Sequence, residues 1–135
     1  MITIDYNKDL SSEITELKLI IFKAFVQYCI DELNIKSDIN LLLLSKKNDF
    51  NITTGGFDRN TNDIMARVEG RALIDVLRTI VHELVHLQQK ETGKFNNDTV
   101  IPDIGGEIED EANAVAGQLI KKFSKDTDSK FIYSV

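Results

Sequence analysis

Two histidines stand four residues apart in the run His82-Glu83-Leu84-Val85-His86, and the 135-residue chain has no others. A helix turns by about 100° per residue, so both imidazoles fall on one side, one turn apart. Rings so placed can hold one zinc ion. Glu83 projects beside them without joining them, which suits a base that takes a proton from water. The bland alternative is a solvated polar helix face that happens to carry both rings.

A zinc ion that does chemistry needs a third protein ligand and an open fourth position. With no histidine left, a carboxylate must serve, and Glu107, Glu109, Asp110 and Glu111 lie in one later run. The apolar stripe there is Ile108, Ala112, Val115, Ala116, Leu119, Ile120 and Phe123. Helical stepping puts Glu109 at the edge of that stripe, with Asn113 one turn on. Glu107, Asp110 and Glu111 fall on the opposite, solvent-facing side. A carboxylate at a buried border needs a partner, because an unpaired buried charge is costly. Glu109 is therefore the expected third ligand. Asn113 can offer an oxygen to the outer N–H of a ligand imidazole, with a plain helix-surface role as the alternative.

Three helices must position these groups. The first opens near Ser11 or Ser12 as N-cap and carries Ile14, Leu17, Ile21, Phe25 and Tyr28 at helical spacing to about Leu33. The second spans about Arg71 to Lys90, closed by Gly93. Leu73, Leu77, Ile80, Leu84 and Leu87 form its apolar side, and Asp75, Thr79, His82, His86 and Gln89 the other. After a loop from Lys94 to Gly106, the third runs from about Glu107 to Phe123.

Strand-length runs lie between the first two helices. Ile39–Leu44 is apolar, Phe50–Thr54 is a weaker strand before a turn or bulge at Gly55-Gly56, and Ile64–Val68 alternates. Phe131-Ile132-Tyr133 reads as an edge strand. The expected architecture is one α+β domain with a three- or four-stranded antiparallel or mixed sheet.

Composition narrows the function classes. Hydrophobic residues make up 42% and charged residues 28%, an ordinary globular balance. The formal charge of −6 lacks the footprint of a phosphate-backbone binder, so no nucleic-acid partner is expected. No apolar run reaches the roughly 20 residues that span a bilayer, so no membrane partner is expected either. The first residues lack a secretory pattern. The lone Cys29 excludes an internal disulfide and reads as core.

His82-Glu83-Leu84-Val85-His86 followed by Glu109-Asp110-Glu111-Ala112-Asn113 resembles the gluzincin branch of the zincin metallopeptidases, with its H-E-x-x-H and later E-x-x-A-[DN] or E-x-x-x-D. From Val76 through Gly117 the chain is similar to short zincin-like peptidases of tailed bacteriophages and, more remotely, to the ImmA/IrrE family. The resemblance covers about residues 50–123. It implies a minimal zincin-like domain with a zinc cofactor, His82, His86 and Glu109 as ligands and Glu83 as catalytic base. Asn113 stands where many gluzincins have Asp, which weakens anionic support for a histidine but keeps an acceptor. The resemblance also implies an edge strand beside the active helix that takes extended peptide, expected at Thr61–Val68.

The expected activity is zinc-dependent hydrolysis of a peptide or protein substrate. Glu83 passes a proton from water to the leaving amine, and Tyr133, Arg71 or Arg78 steadies the oxyanion. The expected location is the cytoplasm of a bacterial or phage-infected cell, with virion association as the second. The rival reading is a non-enzymatic, partner-binding or structural zincin-fold protein, motivated by the short chain.

Overall fold

Ile39, Leu41 and Leu43 alternate in a run whose every second side chain is fully buried, and this run forms the middle of the sheet in the computed structural model, which describes residues 1–100 and 106–134. The elements in chain order are strand β1 (Ile2–Tyr6), helix α1 (Glu16–Leu33), strands β2 (Ile39–Leu44), β3 (Gly55–Phe57) and β4 (Ile64–Arg67), and helices α2 (Leu73–Glu91) and α3 (Glu107–Asp126). The protein is an α+β fold. Its four-stranded sheet has the order β1-β2-β4-β3, parallel except for the β3–β4 pair.

Helix α1 begins later than its serines suggest. Thr15, in an extended conformation, caps it by accepting a hydrogen bond from the Lys18 N–H. Ser11 instead closes a short 3-10 turn at Lys8–Leu10, bonding back to the Lys8 carbonyl. Asn34, left-handed at φ 55°, ends the helix. Phe22, Phe25 and Val26 are wholly buried, and the Phe123 ring of α3 meets Phe25 edge-on at 5.0 Å between centroids.

The middle strands depart from expectation in three ways. Residues 50–54 are not a strand. Asn48 holds them, its side-chain oxygen accepting from the Phe50 and Ile52 N–H groups and its amide donating to the Ser45 and Ile52 carbonyls. A ladder would need those same backbone groups. Gly55-Gly56, read as a turn, are instead the start of β3.

The segment Thr61–Val68 is also not an edge. Its strand, β4, lies between β2 and β3, with Ile64 and Ala66 fully buried. The edge beside α2 is β3, joined to β4 through a turn in which Asp58 accepts from the Asn60 and Thr61 N–H groups.

The C-terminal run Phe131-Ile132-Tyr133 forms a 3-10 turn at Lys130–Tyr133 rather than a strand. Its anchor is Ile132, fully buried in the core shared with α2 and α3, while Phe131 and Tyr133 stay exposed. Only one of its three large side chains is buried.

Helices α1 and α2 pack on the sheet, and α3 packs on α2. Helix α2 is thus enclosed on both sides. Leu77, Ile80, Leu84 and Leu87 are buried in the core, while its polar side faces β3 and the start of α3. Residues 101–105, within the expected Lys94–Gly106 loop, lie outside the described residues. Among the described residues, no helix is long and apolar enough to cross a membrane.

Candidate metal centre

A helix that buries one face and meets another helix with the other can hold polar groups only where they have partners. His86 and Glu83 are nearly buried on α2, and Gln89 is entirely so. Glu109 projects from the first turn of α3, where the helix N-terminus favours a carboxylate. The two helices bring these groups together.

His82 Nε2 and His86 Nε2 are 3.1 Å apart. Glu109 Oε2 lies 3.1 Å from His82 Nε2, and Glu109 Oε1 lies 2.7 Å from His86 Nε2. Atoms about 2.0–2.1 Å from a common zinc ion sit about 3.3 Å from one another at tetrahedral angles. The observed spacing is close to that edge length. His82, Glu83 and His86 also offer atoms within 4.8 Å of one another, but Glu83 Oε1 stands 4.0 Å from His82 Nε2, farther than either Glu109 contact. Two imidazoles and the Glu109 carboxylate are therefore the tightest donor set, with Glu83 beside it.

Electrostatics favours the neutral forms of His82 and Glu83. Burial and the adjacent His86 ring hold His82 below its ordinary pKa, against the opposing pull of Glu109 and of the Asn113 side chain. A neutral ring presents a lone pair. Burial, helped by the charge on Glu109, pushes the Glu83 carboxyl up to about 8 in the absence of a cation. Crowding of lone pairs and carboxylates in a shielded spot is unfavourable alone and is relieved by a cation, so the donor set fits a divalent metal.

The Asn113 side chain lies beside His82 and draws its pKa upward, whereas the outer nitrogen of His86 has a defined partner. His86 Nδ1 is 2.8 Å from Gln89 Oε1, and the Gln89 amide nitrogen donates to the Ile108 carbonyl (3.0 Å) and to Glu111 Oε1 (2.9 Å). Glu111, expected to face solvent, is instead half-buried between Gln89 and Lys94, whose ammonium lies 2.7 Å from Oε1. Helical stepping along α3 alone could not reveal this, because the partners come from α2 and the segment after it.

The donor set opens into a cleft of about 570 Å³ lined by Thr53, Thr54, Gly55, Phe57, Arg59 and Phe95. The Arg59 guanidinium stacks 5.1 Å from the Phe95 ring and donates to the carbonyls of Asn96 and Thr99. The sequence marks none of these wall residues as part of a site, since they lie on loops and on a strand placed differently from expectation. A smaller cavity of about 290 Å³ adjoins at Thr54, Arg71, Arg78 and Asn113.

Of the three expected oxyanion donors, Arg71 spends its guanidinium on the carbonyls of Thr54, Arg67 and Asp75 and on the Thr79 hydroxyl. Arg78 binds Asp75 at 3.2 Å and borders the cavity that also touches His82 and Glu83. Tyr133 is half-exposed on the C-terminal turn and lines neither cavity. No family model, curated protein or solved structure matches this chain.

Proposed function

We propose that this chain is a zinc-dependent metallopeptidase, with His82, His86 and Glu109 holding the metal and Glu83 as general base. The supporting observation is the convergence of both Nε2 atoms and the Glu109 carboxylate within 3.1 Å of one another, with a second buried carboxyl alongside. Bound zinc supplies Lewis acidity, which makes water nucleophilic near neutral pH and polarises a carbonyl.

The chain's own residues supply the rest. Burial and the neighbouring Glu109 charge raise the proton affinity of Glu83, so that once a cation offsets that charge its carboxylate can take a proton from the attacking water and release it to the leaving amine. The outer edge of β3, the last strand of the sheet and beside Glu83, offers backbone groups to an extended peptide. Arg78, less committed than Arg71, is the better donor to the developing oxyanion.

The test is a broad peptide-library digest read by mass spectrometry, run on zinc-loaded wild type and Glu83→Gln. Cleavage by the wild type and none by a variant that still binds zinc is the expected pattern. A fully active Glu83→Gln protein refutes the base assignment. Zinc bound without cleavage under any condition favours a partner-binding or structural role.

A further inference from the structure

Gln89 is wholly buried, and both amide N–H donors and the amide oxygen of its side chain have partners. Its amide nitrogen has two donors and faces two acceptors, the Ile108 carbonyl and Glu111 Oε1. The reverse orientation would set the amide oxygen against both oxygens, so the environment selects one of the two amide rotamers. Lys94 holds Glu111 in place, its ammonium 2.7 Å from Oε1.

With the nitrogen so committed, the oxygen must face His86 Nδ1, which lies 2.8 Å away. An oxygen there can only accept, so Nδ1 must carry the ring proton. In a neutral imidazole the lone pair is then on Nε2, the atom that points at Glu109 and His82. The bond to Ile108 adds a second constraint. It fastens α2 to the residue preceding Glu109, at the start of the helix that carries the carboxylate.

We propose that Gln89 is a positioning residue that locks His86 as the Nδ1–H tautomer and pins the first turn of α3, with Glu111 and Lys94 fixing its amide orientation. The consequence for metal affinity rests on the proposed metal site; the tautomer itself does not. One polar residue thereby aligns a ligand on each of two helices. Periodicity along α2 puts Gln89 on the polar side but cannot reveal its role, because the acceptors of its amide lie 19 and 22 residues onward.

The test measures long-range proton–nitrogen correlations of the imidazoles in metal-free protein above the histidine pKa, in a Glu109→Ala background that removes the carboxylate 2.7 Å from Nε2, which competes for the ring proton. The background protein is compared with the same protein carrying Gln89→Met or Glu111→Ala. His86 of the background protein should be entirely the Nδ1–H form, and both added substitutions should give mixed tautomers with native amide spectra elsewhere. In the otherwise wild-type chain, chelator competition should show zinc binding weakened about 10–100-fold by Gln89→Met. An Nε2–H ring in the background protein, or a ring still fixed as Nδ1–H with both added substitutions, overturns the proposal. Should Gln89→Met fail to fold, the background and Glu111→Ala spectra still decide. An Nδ1–H ring in the background protein together with a wild type that takes up no zinc upholds the orienting role and removes the metal reading.

Discussion

Gly55 lies so close to α2 that a methyl group added to it would sit 2.2 Å from the Thr79 methyl and 2.9 Å from the Met65 carbonyl oxygen. The absent side chain lets the edge strand rest on the helix one turn before Glu83, whose Cγ would be 3.7 Å from the same methyl. Glycine here is needed for close approach rather than for a turn.

Gly55→Ala should therefore displace β3 and destabilise the fold by about 1–3 kcal/mol, as overpacking does. Thr79→Ser removes the clashing methyl while keeping the hydroxyl that bonds Asp75 and Arg71. The double variant should recover part of the loss in urea denaturation, with the Met65 contact accounting for the remainder. Equal stability of Gly55→Ala and wild type would show that the strand can move freely.

The anchor of the α1–β2 connection is Glu91. Burial draws its pKa upward, but bonds from the Ser37 hydroxyl and from the Lys36 and Ser37 N–H groups outweigh this and leave it below its ordinary value. A depressed folded pKa contributes stability above the unfolded value of about 4.3, lost as pH falls through the folded one. Because the carboxylate is largely exposed, solvent screening limits the effect, and Glu91→Gln should cost about 1 kcal/mol at pH 7. The difference in urea midpoint from wild type should shrink toward pH 3. A gap that widens in acid would contradict this role.

How far the sequence reaches depends on where each residue's partners lie. The histidine pair, the third-helix carboxylate and strand β2 follow from periodicity within a single segment, and the structure puts all of them where that periodicity implies. Strand β1 is not legible in the sequence although Ile2, Thr3, Ile4 and Asp5 alternate, because five residues carry little weight without the parallel partner β2. The strand read at Phe50–Thr54 lies a few residues later because Asn48 claims the backbone of the earlier run and Gly55 fits against Thr79. Gln89 and Glu111 gain their roles only when α3 docks on α2.

Cys29 is fully buried on α1, and burial pushes its thiol pKa up. The thiol should stay unreactive toward an aromatic disulfide reagent in the native protein and react at the rate of opening when urea is added. Rapid native labelling would mean that the core around Phe25 and Phe123 is looser than described.

Metal binding should stabilise the fold, because the unfolded chain has no assembled donor set. Free zinc at 100 times its dissociation constant contributes about 2.7 kcal/mol, a rise in Tm of roughly 5–10 °C that a chelator reverses. His86→Ala and Glu109→Gln should lose most of the rise, whereas Glu83→Gln should keep it. A Tm insensitive to zinc and chelator would remove the coupling between metal and fold.

Anomalous diffraction at the zinc edge, on crystals of the zinc-loaded protein, examines the proposed centre most directly. A single peak should lie about 2.0–2.1 Å from Nε2 of both His82 and His86 and about 2.0–2.2 Å from a Glu109 carboxylate oxygen, with Glu83 outside bonding distance. No peak between the two rings, or a peak bound by Glu83 while Glu109 faces solvent, would contradict it.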